Sequence, residues 1–172
     1  MAPVFGTNAG LSLSEISIFV AAFYIGAMVF QFPIGWLSDR IDRRILIVAT
    51  SAIGFIAAVS AIMVDDFFLI FVGSAFFIGG MSNPLYSLLI AYTNDFLELD
   101  DMASASAGLL FLNGLGAISG PLLTGYLMTK MGPQGFFIIL ATLLGLLTVY
   151  GFYRMTQRGI SDVDTSSYAT VL

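Results

Sequence analysis

The amino-acid sequence predicts an all-α, polytopic membrane protein with five transmembrane helices, and three observations carry that prediction. Of its 172 residues, 58% are hydrophobic and only 10% charged, with a mean hydropathy of +0.96. A soluble domain is about 45–50% apolar and about 25% charged. A water-soluble globule of this size has too much surface to hide such a composition, and disorder needs the opposite balance. The second observation is length: the stretches 16–37, 45–64, 67–92, 102–128 and 134–153 each approach or exceed the roughly 20 residues that cross a bilayer. The third is that none of the five contains Lys, Arg, Asp or Glu. Soluble buried helices, the competing account, fail on this length and this exclusion of charge.

Taken in order, residues 1–15 are expected to be an outer segment. They hold no basic residue, and the span that follows is too long for the core of a secretory signal. Span 16–37 leads into a charged turn, Asp39 to Arg44, and span 45–64 follows it. Asp65 and Asp66 precede span 67–92, where carboxylates suit a helix start. That span would be about 39 Å long as a straight helix, so it must tilt or break. Its centre reads Gly79-Gly80-Met81-Ser82-Asn83-Pro84, in which Pro84 removes a helical amide and the glycines resist no bend. A midplane break exposing backbone to a solute and a kink that only shapes packing are both open.

Asp100 and Asp101 are expected to start span 102–128, and Gly132-Pro133 to break the chain before span 134–153. Span 102–128 carries Gly116-x-x-x-Gly120, followed by Pro121, a spacing that lets helices approach closely. Residues 154–172 are expected to form a polar tail. Phe23-Tyr24-Ile25-Gly26-Ala27-Met28 echoes Phe76-Phe77-Ile78-Gly79-Gly80-Met81, although six apolar-biased letters recur easily by chance.

Orientation follows from Lys and Arg. With the Asp39–Arg44 turn and the tail placed in the cytoplasm, five basic residues lie inside and one outside. The N-terminus is therefore expected outside and the C-terminus inside, in a cell membrane.

The most polar side chains left inside the spans are the carboxamides Gln31, Asn83 and Asn113. They should avoid lipid, so spans 16–37, 67–92 and 102–128 are expected to line an interior. Spans 45–64 and 134–153 offer only hydroxyls (Thr50, Ser51, Ser60, Thr142, Thr148), which can bond back to their own helix. Together with Tyr86, the carboxamides are the candidate contacts for a small solute. The chain has no Cys and no His, which removes most metal sites and nucleophile–base pairs, and no carboxylate lies mid-span. No catalytic residue, metal or cofactor is expected. A net charge of −5 without a basic face argues against nucleic acid.

The turn Gly35-Trp36-Leu37-Ser38-Asp39-Arg40-Ile41-Asp42-Arg43-Arg44 resembles the cytoplasmic-loop signature of the major facilitator superfamily, G-x-L-[AS]-D-R-x-G-R-[RK]. Nine of ten positions fit, with Asp42 standing where the pattern has glycine. Gly116-Ala117-Ile118-Ser119-Gly120-Pro121 is similar to that superfamily's G-x-x-x-G-P element. The run from Pro84-Leu85-Tyr86-Ser87 through Asn94-Asp95 to Ala103-Ser104-Ala105 looks like a poorly characterised bacterial branch. The resemblance implies helices 8 to 12 of a twelve-helix fold, with residues 1–14 as the outer end of helix 7 and its loop. It implies that helices 8, 10 and 11 face the central cavity, matching the partition the carboxamides suggest.

It further implies a role for Asp39 at a helix N-terminus of the opposite half, with Arg40, Arg43 and Arg44 in a charge cluster that holds one conformation. The expected partners are the bilayer, the missing N-terminal half and a small solute. The expected activity is secondary transport by alternating access, which the chain alone would not perform. The alternative is a non-transporting membrane scaffold or subunit built from close-packed helices.

Because the chain lacks cysteine, its topology can be read without background. A cysteine introduced at Asp66 is expected to react with an impermeant thiol reagent in intact cells, and one at Asp95 only after the membrane is opened. The reverse pattern would invert the orientation argued from Lys and Arg.

Overall fold

A computed structural model describes residues 1–64 and 68–157. The expectations resting on Asp65, Asp66 and the tail beyond Gln157 lie outside the described residues. Among those described, the chain is helical throughout: α1 (Ala2–Asn8), α2 (Leu13–Ser38), α3 (Arg43–Met63), α4 (Phe68–Asn94), α5 (Leu99–Met131) and α6 (Gly135–Gln157). The five from α2 onward are long and apolar enough to cross a membrane.

Several helices run beyond the charge-free stretches, for local reasons. Helix α2 begins at Leu13 because Ser12 and Glu15 form a capping box. The Ser12 N–H donates to Glu15 Oε2 at 2.8 Å, and the Glu15 N–H donates to Ser12 Oγ at 3.3 Å. Helix α3 begins at Arg43 because the Asp42 carboxylate accepts the Arg44 N–H at 2.9 Å. Helix α5 starts at Leu99, so Asp100 and Asp101 sit inside its first turn. They complement the helix dipole there but do not cap, contrary to the expectation that they precede the helix. Helix α5 ends at Gly132, whose φ of 75° lies in the left-handed region. Pro133 falls in the turn before α6, not in its first helical turn, because the Gly135 N–H closes that turn on the Gly132 carbonyl.

The helices pack in the order α2, α4, α3, α6, with α5 against α6 and only lightly against α4. Helix α4 is continuous through Pro84, so of the two readings left open for this segment the midplane break is not seen. Its glycines have a different use. A Cβ on Gly79 would stand 2.0 Å from the Phe23 carbonyl oxygen, and one on Gly26 would stand 1.9 Å from that of Phe76. A Cβ on Gly80 would stand 2.4 Å from the Phe30 ring. Helices α2 and α4 therefore cross backbone to backbone, each glycine receiving the carbonyl of the phenylalanine that lies three residues before the other glycine. The two echoing hexapeptides are the two sides of this one crossing.

Hydroxyls tie the middle layer. Ser51 Oγ accepts from Thr148 at 3.0 Å across α3 and α6, and Ser60 and Ser74 meet at 3.2 Å across α3 and α4. These side chains also bond back within their helices where geometry allows, as Ser51 does to the Ile47 carbonyl at 2.7 Å. They thus do more than the back-bonding that the sequence suggests. At the end of the bundle bearing α1, Phe5 is buried among Phe19, Phe71, Phe136 and Phe137, with ring centroids 4.9–5.6 Å away. Each well-oriented ring pair adds about 0.5–1.5 kcal/mol beyond area burial.

Helix α5 stands apart. Only Thr124 and Met128 of its 33 residues are buried. Nothing lies within 4 Å of a Cβ built on Gly108, Gly114, Gly116 or Gly120. Around Gly116 and Gly120 the face consequently has room for a close neighbour, and the close packing expected of it is not made among the described residues.

This contrast is measurable. Gly26→Ala or Gly79→Ala should destabilise the bundle by about 1–3 kcal/mol or more, because a backbone carbonyl occupies the new methyl's position. Gly116→Ala should stay within about 0.5 kcal/mol of the parent. Thermal unfolding in detergent, followed by helical circular dichroism, distinguishes the three; equal effects would refute the backbone crossing.

Candidate functional site

One face of α4 and one face of α2 meet α5 along an open groove of about 410 Å³, lined by Gln31, Ser82, Asn83, Tyr86, Ser87 and Asn113. The four side chains singled out from sequence, Gln31, Asn83, Tyr86 and Asn113, all reach it. No residue of α3 or α6 lines it. The volume falls in the range of small-molecule sites. Sequence reasoning misses Ser82 and Ser87, yet helical spacing carries a signal for the second: Ser87 lies four residues after Asn83 and on the same face.

The carboxamides of Gln31, Asn83 and Asn113 are exposed to the groove and make no hydrogen bond with any described residue. Their donors and acceptors are available to a solute. With Ser82, Ser87 and the Tyr86 hydroxyl they form a lining that hydrogen-bonds and carries no formal charge.

A second groove of about 310 Å³ shares Gln31 and Ser87 with the first and runs along α2 and α4 to Gly35, Ser38, Asp39 and Arg43. A Cβ on Gly35 would meet nothing within 4 Å, so the groove stays open where the chain approaches the charged turn. Pro84 and Leu88 line it from α4.

At the charged turn each arginine has a distinct environment. Arg43 reaches from the start of α3 to the end of α4, where it pairs with Asp95. Its Nε donates to Ser38 Oγ at 3.2 Å, and Asp39 Oδ1 lies 3.8 Å from Nη2. One side chain thereby links the ends of α2, α3 and α4. Arg44 pairs locally with Asp42, its Nη2 2.9 Å from Oδ2. Partial burial pushes the Asp42 carboxyl up, but the hydrogen bonds and charge of Arg44 outweigh it and leave the carboxyl below its usual range. Arg40 instead lies over the Trp36 ring, 3.8 Å from its centroid, and donates to the Trp36 carbonyl at 3.0 Å. The three arginines are therefore one inter-helix link, one local pair and one stacked cation.

Asp39 is the C-cap residue of α2, and three-quarters of its side chain is exposed. Gly79, Gly80 and Pro84 are buried at the α2–α4 crossing and along the groove's α4 wall, while Gly116, Gly120 and Pro121 lie on the uncovered part of α5.

Comparison with known proteins gives the same family as the turn motif. The sequence profile described as "Major Facilitator Superfamily" matches residues 1–166. The uncharacterised MFS-type transporter YfkF of Bacillus subtilis is 34% identical over 148 residues, covering 82% of this chain and 36% of that protein. The uncharacterised MFS-type transporter YcaD of Escherichia fergusonii is 24% identical over 166 residues, covering 94% of this chain and 42% of that protein. In Yersinia enterocolitica, YE1530 is 24% identical over 148 residues, covering 86% and 37%. The chain thus spans about two-fifths of the length of the curated relatives it matches. These relatives are named as transporters and not as enzymes. The chain is a multi-pass membrane protein that belongs to the major facilitator superfamily.

Proposed function

We propose that this chain supplies one wall of the solute pathway in a secondary transporter working by alternating access. The observation that carries the proposal is the convergence of Gln31, Asn83, Tyr86 and Asn113 from three helices onto one groove, which continues to Asp39 and Arg43. Hydrogen-bonding side chains are costly against lipid, so three unpartnered carboxamides on a shared groove are better explained by a polar occupant. On this wall the solute meets uncharged donors and acceptors only. An N-terminal half would supply the opposite wall and cover the bare face of α5 at Gly116, Gly120 and Pro121.

The charged turn fits the switching part of that cycle. Asp39 is exposed at the end of α2 despite its long contact with Arg43, and so can meet a helix N-terminus of the opposite half at the cytoplasmic surface. Arg43 couples Asp39 to Asp95 and so to the end of α4. Making and breaking a few such contacts moves a two-state balance by a few kcal/mol, the scale of a conformational bias. The scaffold alternative needs the α5 glycines to be packing contacts, and of these only Gly125 comes near a described residue outside α5, a Cβ there standing 3.2 Å from the Met1 side chain.

Two outcomes are expected in a full-length transporter carrying this chain. Asp39→Asn should lower uptake several-fold while membrane abundance on immunoblots stays near the parent's. Parental uptake would reduce the turn to a topology signal. Asn83→Leu or Asn113→Leu should weaken apparent solute affinity about tenfold, the loss of one or two hydrogen bonds, whereas Thr142→Leu in α6 should stay within about twofold. Equal effects at all three positions would mean that the carboxamides are packing residues.

A further inference from the structure

Arg40 is the arginine of the charged turn with no carboxylate within ion-pair distance among the described residues, since Arg43 and Arg44 take Asp39, Asp95 and Asp42. Its guanidinium is held over Trp36 and uses one Nη1 hydrogen on the Trp36 carbonyl, which leaves further donors on an exposed residue. Phe32, Trp36 and Arg40 follow one another at four-residue spacing, about 6 Å apart along α2 and its end. Phe32 is 78% exposed and Trp36 49% exposed. Along this ridge the surface passes from apolar ring to indole to cation at the very end of a membrane span. That is the order of chemistries a phospholipid presents from acyl chain through the interface to phosphate.

We propose that the Phe32–Trp36–Arg40 ridge binds an anionic phospholipid of the leaflet at this end of the bundle. Arg40 donates to the phosphodiester oxygens, and Phe32 and Trp36 lie along the acyl chains. The stacking on Trp36 fixes the planar guanidinium before the lipid arrives, so little side-chain freedom remains to be lost on binding. The neighbouring Arg43 and Arg44 are already neutralised by their own carboxylates, which makes the ridge a site of one cation and not a diffuse basic surface. A site of this kind also lies one residue from Asp39 and so adjoins the charged turn.

The chain contains a single tryptophan, and it is in the site. The chain is reconstituted in phosphatidylcholine vesicles containing either phosphatidylglycerol or further phosphatidylcholine, the added lipid carrying brominated acyl chains that quench tryptophan on contact. Brominated phosphatidylglycerol is expected to quench Trp36 with an apparent affinity about fivefold above brominated phosphatidylcholine, the factor expected of one arginine near anionic lipid. Arg40→Gln should bring that ratio to about one, and Arg154→Gln, an exposed arginine at the end of α6, should leave it unchanged. Should Arg40→Gln lose helicity, Arg40→Lys serves instead: its ratio should fall between parent and unity because charge survives without the planar fork. A parental ratio of one overturns the proposal, as does a ratio that survives Arg40→Gln or that falls equally with Arg154→Gln. Absence of quenching by either lipid would show the ridge covered by protein and overturns it too.

Discussion

The crossing of α2 and α4 is the constraint on which the remaining geometry depends. Inside a bilayer, a leucine gains nothing by leaving lipid for a helix neighbour, so helices associate by close packing and by polar contacts. Here the closest packing is made by removing side chains: Gly26 and Gly79 each admit the other helix's phenylalanine carbonyl, and Gly80 admits the Phe30 ring. With the two backbones in contact, the faces beside the crossing are fixed in relative register. Gln31 lies five residues beyond Gly26 and Asn83 four beyond Gly79, and both open on the same groove. Displacing the helices by the thickness of a methyl group at the crossing would shift this whole wall.

The second packing device is complementary. Helices α3 and α6 hold no carboxamide in their interiors and are joined by the Thr148–Ser51 hydroxyl pair, with Ala57, Ala58, Ala61 and Ser51 of α3 buried. A serine or threonine can satisfy itself on its own helix and still lend a lone pair to a neighbour, so it binds helices without the large cost of an unmet polar group. Carboxamides are different, because no local backbone contact satisfies both ends. Inside, the supporting layer therefore holds hydroxyls alone, whereas the groove gathers the carboxamides together with the hydroxyls of Ser82, Tyr86 and Ser87. Helix α5 brings Asn113 to that groove while most of its length touches no other described element, so its position is set chiefly by the tight Gly132–Gly135 turn and its contact with α6.

Much of this is legible in the sequence, and what escapes does so for physical reasons. Five spans follow from charge exclusion alone, because lipid enforces it at nearly every position. The set Gln31, Asn83, Tyr86 and Asn113 is legible because so few polar residues occur within the spans. The two hexapeptide echoes look like chance in the sequence, because periodicity in one chain does not state which segments touch. The glycines at positions 79 and 80 read as bending points, and only the positions of the Phe23 carbonyl and the Phe30 ring show them to be contact points. Conversely, Gly116-x-x-x-Gly120 reads as a packing face and is bare, since spacing announces that a helix can approach and not which helix does.

Asp42 is the place where the turn departs from its family's pattern, and the structure gives the departure a mechanism. Glycine at that position supplies conformational freedom to a short turn, whereas Asp42 has φ −54° and ψ 119°, an ordinary backbone for an L-residue. What the aspartate adds is a cap: its carboxylate accepts the Arg44 N–H, starts α3 two residues before the apolar stretch, and neutralises the Arg44 guanidinium. Arg44 is thereby committed to the local structure of α3. The link between helices falls to Arg43 alone, which spans Ser38, Asp39 and Asp95. A cluster in which three arginines shared three carboxylates would redistribute after any single change. This one is divided, so the polar link between the ends of α2 and α4 rests on Arg43, beside the apolar cluster that holds Ile34, Leu37 and Leu88, and it can break without removing the cap of α3.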